Sequence, residues 1–186
     1  TATPYATPNS LVSANVRTLR TSALSVVQLS SPAATAYAPG TTGVTFAKVM
    51  LDASNSSEDL KVSQFLAIDT PVTGKTIDLQ NIKLWVDKDG DSYNGAGAVV
   101  ALTETIAGST SAASTAETFT WNLSGDDQIL VKAGKKLVVE VRADIAGGAT
   151  AGTHTFTTNV ANDVTATGQT TKTTVTESVD TGPSGQ

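Results

Sequence analysis

The segment LVVEVRADI, residues 137–145, is the clearest predictor of the fold. Apolar and charged side chains alternate along its length. The apolar set on one face is Leu137, Val139, Val141, Ala143 and Ile145, and the charged set on the other face is Glu140, Arg142 and Asp144. Successive side chains of a β-strand point to opposite faces, so this alternation predicts a strand with one buried face. Such strands are typical of antiparallel sheets with one solvated side.

The same pattern recurs along the chain. In ETFTWNL (117–123) it places Phe119, Trp121 and Leu123 inward. In NIKLWV (81–86) it places Ile82, Leu84 and Val86 inward and Lys83 and Trp85 outward. Further strands are predicted at 23–29, 44–53, 60–68, 98–106, 128–133 and 153–160.

Two of these strands change phase, which predicts a bulge near Ala47 and Lys48 and another slip at Gln64 and Phe65. Residues 69–76 and 107–116 read as loops. No stretch has a helical period, so the chain is predicted to be all-β, an antiparallel β-sandwich of jelly-roll or immunoglobulin-like type.

The predicted sandwich domain spans residues 23–180. An extended N-terminal arm, residues 1–22, precedes it, and a flexible tail, residues 181–186, follows. The Thr-rich region from 161 to 186 is expected to hold one or two weak strands or to form a stalk, and its hydroxyls are candidates for O-linked sugars.

Composition narrows the function classes. The 186 residues carry a net charge of −5 with only 16% charged side chains, no Cys and a single His. The sequence has no cluster of Lys and Arg of the kind that binds nucleic acid. The absence of Cys excludes thiol catalysis and zinc sites with Cys ligands. No run is long and apolar enough for a membrane helix. We therefore expect a mature extracellular or cell-surface protein, freed from a signal peptide and rich in β-favouring Thr.

An acidic loop at 87–95, DKDGDSYNG, concentrates oxygen ligands. Asp87, Asp89, Asp91 and Asn94, with the carbonyl of Tyr93, have the spacing of a Ca²⁺ turn. The loop resembles the DxDxDG loops of EF-hand, dockerin and thrombospondin-type sites. It departs from them because glycine is fourth and not sixth, and because the twelfth position is not acidic. The alternative is a hairpin turn with solvated carboxylates.

Candidate catalytic groups are sparse. His154 stands in a strand of polar residues, with no nucleophile motif in the chain. The carboxylate pairs Asp126–Asp127 and Glu58–Asp59 lie in predicted turns, whereas a glycosidase needs two acids across a cleft. The sequence therefore predicts a protein that is not an enzyme.

Three positions are candidates for binding or modification. Trp85 is predicted either to face outward, where it can stack on a sugar or anchor an interface, or to belong to the core. Asn55 and Asn122 begin N-glycosylation sequons, Asn-Ser-Ser and Asn-Leu-Ser, at accessible positions.

The N-terminal arm contains Pro residues followed by a moderately apolar, alternating segment with these interface candidates: Leu11, Val12, Ala14, Val16 and Leu19. An arm of this kind before a sandwich resembles the subunits of donor-strand filaments: chaperone–usher pili, TasA-type fibres, and archaeal threads or bundling pili. The resemblance implies a homopolymer in which residues 9–21 complete a sheet of the next subunit. The alternatives are a first strand within its own sheet and, for the whole chain, a carbohydrate-binding or adhesin module.

Overall fold

A computed structural model describes residues 21–87, 99–108, 115–125, 128–158, 163–175 and 177–180. These residues form twelve strands, and a short 3-10 turn, Thr76–Asp78, precedes the fourth of them. The first six strands are β1 Leu24–Gln28, β2 Val44–Asp52, β3 Leu60–Val72, β4 Leu79–Asp87, β5 Val99–Gly108 and β6 Glu117–Asn122. The others are β7 Ile129–Val131, β8 Lys136–Ile145, β9 Thr153–Thr157, β10 Val164–Gly168, β11 Thr174–Val175 and β12 Glu177–Asp180.

The strands build two sheets. The first has the order β12-β1-β2-β8-β4-β5, and all its pairs are antiparallel except β1 with β12. The second is organised around the long strand β3, with β6 and β7 on one side and β9 and β10 on the other, and β11 continues beyond β10. The predicted all-β sandwich is thereby confirmed.

The core lies between the inner faces of the two sheets and has the composition that the alternation predicts. The predicted inward residues of β4, β6 and β8 are buried, although Ile145 at the end of β8 is only partly so. Aromatic side chains also pack side by side within the second sheet, where Phe65 of β3 and its register partner Trp121 of β6 have ring centroids 6.2 Å apart. Every member of this described core lies between Leu24 and Val175.

Both phase slips exist as irregularities in the pairing. In β3 the register with β10 skips Ser63, which brings Val62 and Phe65 to the same buried face; the slip predicted at Gln64 and Phe65 thus exists but lies one position earlier. In β2 the skipped residue is Phe46, so the prediction of a bulge at Ala47 and Lys48 was wrong by one position. Phe46 leaves the ladder because its ring packs against Phe156, with centroids 5.4 Å apart.

The predicted loop at 69–76 is wrong in its first half, because β3 continues to Val72. Asp69 and Pro71 mark a turn in sequence terms, but β9 pairs with this half of β3 in an unbroken register. Pro71 stands beside β9 at the end of the strand, where a missing backbone donor is tolerated. The C-terminal region likewise supplies three strands instead of the one or two that were expected.

The sandwich has two distinct ends. At the arm pole, defined by Thr21, Asp52 and Leu60, the described chain begins, β2 ends and β3 starts. At the groove pole, defined by Val44, Val72 and Ile145, β2 starts and β3 and β8 end. The nine residues of β2 separate the poles by about 27 Å.

Candidate functional site

A groove of about 860 Å³ opens at the groove pole. One wall is the Ala- and Pro-rich loop 32–39, and another is the start of β9 with the preceding residues 149–152. Phe46, Leu79 and Ile145 add apolar surface between them. Concave, mainly apolar spaces with a few polar groups are where proteins bind ligands and segments of other chains.

The exposed apolar side chains are concentrated around this groove. Four large hydrophobic residues of the described part are exposed, and three lie at the groove pole: Tyr37 at 46%, Val72 at 59% and Ile77 at 40%. Tyr37 lines the groove itself. Clustered apolar exposure distinguishes a binding surface from the scattered hydrophobic residues of an ordinary surface.

His154 and Asp69 form a pair at the side of the groove. The Asp69 carboxylate is fully buried, and its Oδ2 lies 2.9 Å from Nδ1 of His154. Its Oδ1 has no hydrogen-bond partner among the described residues. Burial of a carboxylate is costly unless the carboxylate is paired. His154 therefore stabilises the buried Asp69, and Asp69 in turn fixes the position of the His154 ring. The prediction of an ordinary strand-face His thus missed a buried acidic partner.

The geometry beyond His154 is closed by backbone. Nε2 of His154 lies 3.1 Å from where a Cβ on Gly74 would be, and a Cβ on Gly152 would lie 2.1 Å from the amide nitrogen of Gly74. The segments of Gly74 and Gly152 thus pack against each other beside His154.

Asp78 supplies the acidic group of the groove. The residue is 5% exposed, and its Oδ2 accepts a hydrogen bond from the backbone amide of Lys75 at 2.9 Å. Asp78 and His154 line the groove, whereas no Lys or Arg is among its described lining residues. Asp78 is therefore the acidic side chain of the described lining.

Gln28 ties the edge of β9 to the other sheet. Its side-chain amide donates to the carbonyl of Phe156 at 2.7 Å and accepts from the amide of Thr158 at 3.2 Å. Backbone groups of a strand alternate in direction, so the amide and carbonyl of His154 point to this same edge, away from β3. Gln28 thus occupies this edge at Phe156 and Thr158, whereas at the start of β9, beside the groove, no described strand pairs with the edge.

The outer face of the first sheet carries a charged cluster around Trp85. The guanidinium of Arg142 lies 4.4 Å from the centre of the Trp85 ring and donates to Oε2 of Glu140 at 2.6 Å. Lys48 contacts the other oxygen of Glu140 at 2.9 Å. Burial alone would raise the pKa of Glu140, but these hydrogen bonds outweigh it and hold the pKa below the ordinary value. Trp85 faces outward, as one prediction had it, with one ring face covered by Arg142.

A second carboxylate cluster lies at the arm pole. Glu58, predicted to be a solvated turn residue, is buried and accepts hydrogen bonds from the hydroxyls of Ser22 and Thr171 and the amides of Thr170 and Thr171. The Ser22 and Thr171 bonds lower its pKa to about 2. Glu58 thereby joins the start of the described chain to the turn after β10.

The N-linked candidates have different settings. Asn55 is exposed in the turn between β2 and β3. Asn122 is exposed at the end of β6, where its Oδ1 accepts a hydrogen bond from Gln64 at 2.9 Å.

Most other predicted site residues lie outside the described residues. This holds for the arm residues (Leu11, Val12, Ala14, Val16 and Leu19) and for the calcium candidates Asp89, Asp91, Tyr93 and Asn94. Asp87 ends β4 and pairs with Val99 of β5, so the acidic loop joins two antiparallel neighbours. Among the described ranges no group of three or more His, Asp or Glu side chains is arranged to hold a metal ion. Asp126 and Asp127 also fall outside them.

Comparisons with known proteins add no relative: no family model, no curated protein and no solved structure matches the chain. The groove residues therefore have to be interpreted from their own chemistry.

No helix in the described part is long and apolar enough to cross a membrane.

Proposed function

We propose that this protein is a non-enzymatic structural subunit of an extracellular filament or surface fibre. It polymerises with copies of itself by donating its N-terminal arm to the neighbouring subunit. The observation that carries the proposal combines sequence and fold: an alternating apolar segment at residues 11–19 precedes a β-sandwich whose described core runs from Leu24 to Val175.

The pairing of β1, the first strand of the described body, supports the proposal that the arm binds another subunit. β1 already pairs with β2 on one side and with β12 on the other, so both of its edges are occupied. An arm that precedes β1 has no vacant edge beside that strand. Addition of an extended segment to an open sheet edge is a common mode of recognition between proteins, and β9 offers such an edge.

Deletion of residues 1–20 tests the proposal. The truncation ends before Thr21, whose carbonyl accepts a hydrogen bond from Ser57, and before Ser22, which contacts Glu58. We expect the full chain to form fibres in electron micrographs and the truncated chain to stay monomeric in sedimentation, with an unchanged β-sheet circular dichroism spectrum. Fibres of the truncated chain would contradict strand donation.

Secretion, calcium and sugars belong to the same proposal. Absence of Cys, Thr richness and low charge suit a surface protein that relies on its core. Calcium in the 87–95 loop would hold the β4–β5 hairpin, and glycans at Asn55 or Asn122 would stand on the surface.

The alternative of a carbohydrate-binding module rests on Trp85 and on Tyr37. Arg142 covers one face of the Trp85 ring at 4.4 Å, which leaves only the other face for a sugar. Tyr37 is better placed, beside the groove. This alternative predicts a monomer whose affinity for soluble saccharides is lost in Trp85→Ala or Tyr37→Ala.

A further inference from the structure

We propose that the groove at the groove pole is the acceptor site for the arm of a second copy, with the basic arm drawn to it by the Asp78 carboxylate. This inference rests on the proposed function and assigns the surface that function leaves open. Three independent features of the molecule lead to it: the place where the arm leaves the body, the surface of the groove, and the distribution of charge.

The first feature is direction. The arm leaves the body at the arm pole, where Thr21 is fixed by the Ser57 amide, and the groove lies at the opposite end of β2, about 27 Å away. When donor and acceptor occupy opposite ends of a subunit, the contact is heterologous and repeats from copy to copy. Such contacts build an open chain of subunits when the rotation between copies does not close a ring. The twenty residues before Thr21 span at most roughly 66–72 Å when extended, which is enough to reach into a neighbour.

The second feature is the surface. The groove lies along the start of β9, where the His154 backbone groups point away from β3. An extended segment laid there can pair with this edge while its apolar side chains meet Phe46, Leu79 and the exposed ring of Tyr37. The alternating Val12, Ala14 and Val16 supply one such apolar row.

The third feature is charge. Residues 1–22 contain Arg17 and Arg20 and no acidic residue, so the arm carries +2. The remaining chain has ten basic and seventeen acidic side chains, a net charge of −7. Within the described groove lining, the charged and titratable groups besides Tyr37 are Asp78 and His154, the latter with Asp69 behind it. Opposite charge on the two partners speeds encounter and disfavours the wrong register.

Disulfide trapping in the full-length chain tests the assignment, and the absence of native Cys makes the readout clean. One cysteine is placed in the arm, in the row that faces the groove (Ala14→Cys), and one in the groove (Ala36→Cys). The matched control combines Ala14→Cys with Ala116→Cys, an exposed alanine outside the groove. Under mild oxidation we expect a ladder of dimers, trimers and longer species on a denaturing gel for the first pair alone.

A charge variant refines the test. Asp78→Asn keeps an oxygen for the Lys75 amide and removes the charge, whereas Asp59→Asn makes the same change at a carboxylate that accepts the Ala133 amide at the arm pole. We expect Asp78→Asn to weaken assembly about 5-fold at low salt, and Asp59→Asn to leave it unchanged.

Each contrary result has its own meaning. Equal ladders for both cysteine pairs, or no ladder in either, would overturn the groove as acceptor. A monomeric cross-linked product that is independent of concentration would place the arm in its own groove and overturn donation to a second copy. Binding of soluble saccharides that Ala36→Trp blocks, without capture of the arm, would assign the groove to glycans. Fibres that need residues 1–20 but give no ladder would remove the groove assignment and leave the proposed function standing.

Discussion

Glu58 shows how a single side chain can make the sandwich sensitive to acid. Its pKa of about 2 in the folded chain lies below the ordinary value of 4.5, because Ser22 and Thr171 hydrogen-bond its charged form. A group with a depressed folded pKa stabilises the fold fully above its unfolded pKa and loses that contribution as the pH falls. The free energy of unfolding should therefore decline as the pH falls from about 5 to about 2.

Glu58→Gln isolates this contribution. The variant should be less stable than the wild type at pH 7, and its free energy of unfolding should depend less on pH in the acid range. Urea unfolding at several pH values measures both. Ser22→Ala serves as a comparison, because it removes one donor and keeps the carboxylate. The same pH dependence in Glu58→Gln as in the wild type would show that another carboxylate controls acid unfolding.

At the level of single residues, the sequence predicted orientation better than partnership. The outward Trp85 and the inward Trp121 both follow from alternation along their own strands. The contacts of Asp69 with His154 and of Gln28 with β9 join residues 85 or more positions apart. No local pattern reports such pairs, since they depend on which strands become neighbours. Glu58 was read as a solvated turn for the same reason.

Strand alternation makes a direct prediction about stability. Leu84 of β4 is fully buried, whereas Leu130 of β7 is 41% exposed. Truncation of a buried Leu to Ala typically costs about 2–5 kcal/mol. We expect Leu84→Ala to fall in this range and Leu130→Ala to cost below about 1 kcal/mol in urea unfolding. Equal losses in the two variants would mean that β4 does not contribute its alternating face to the core.

The β4–β5 hairpin makes a prediction about calcium. If the loop after Asp87 binds the ion, free calcium 100-fold above its dissociation constant should add about 2.7 kcal/mol to the free energy of unfolding. For a chain of this size the melting temperature should then rise by roughly 5–10 °C. The control Asp89→Asn/Asp91→Asn should melt at the same temperature in calcium and in EDTA. A wild type whose melting temperature is unaffected by EDTA would make the loop a plain turn.

The elements themselves were largely predictable because most strands have a clean period of two. The predictions were wrong at positions where a contact with another strand overrides the local sequence pattern. Phe46 is pulled out of the β2 ladder by Phe156, and Asp69 and Pro71 keep strand geometry because β9 pairs beside them. Turn-forming residues predict a break, and a neighbouring strand of the sheet overrides it.

At the scale of the whole molecule, the sandwich is directional. Its basic arm begins at one pole, and its acidic, apolar-rimmed groove opens at the other. The sequence indicated the arm, but the groove is assembled from loop 32–39, Asp78 and the start of β9, which are brought together only by folding. Under the proposed function, copies would add at these distinguishable ends and build an open fibre when the rotation between neighbours does not close a ring.

Filament capping tests this central claim most directly. A subunit lacking residues 1–20 retains the groove but has no arm. It can therefore bind the arm of a full-length neighbour, but it has no arm to donate to the next subunit, so the fibre stops growing there. Mixed with full-length chain at increasing ratios, it should shorten the fibres seen by electron microscopy in proportion to its share. The same truncated subunit carrying Ala36→Trp should leave fibre length unchanged. Fibres of undiminished length at an equimolar ratio of truncated to full-length chain, or no fibres from the full-length chain at all, would contradict assembly through the arm.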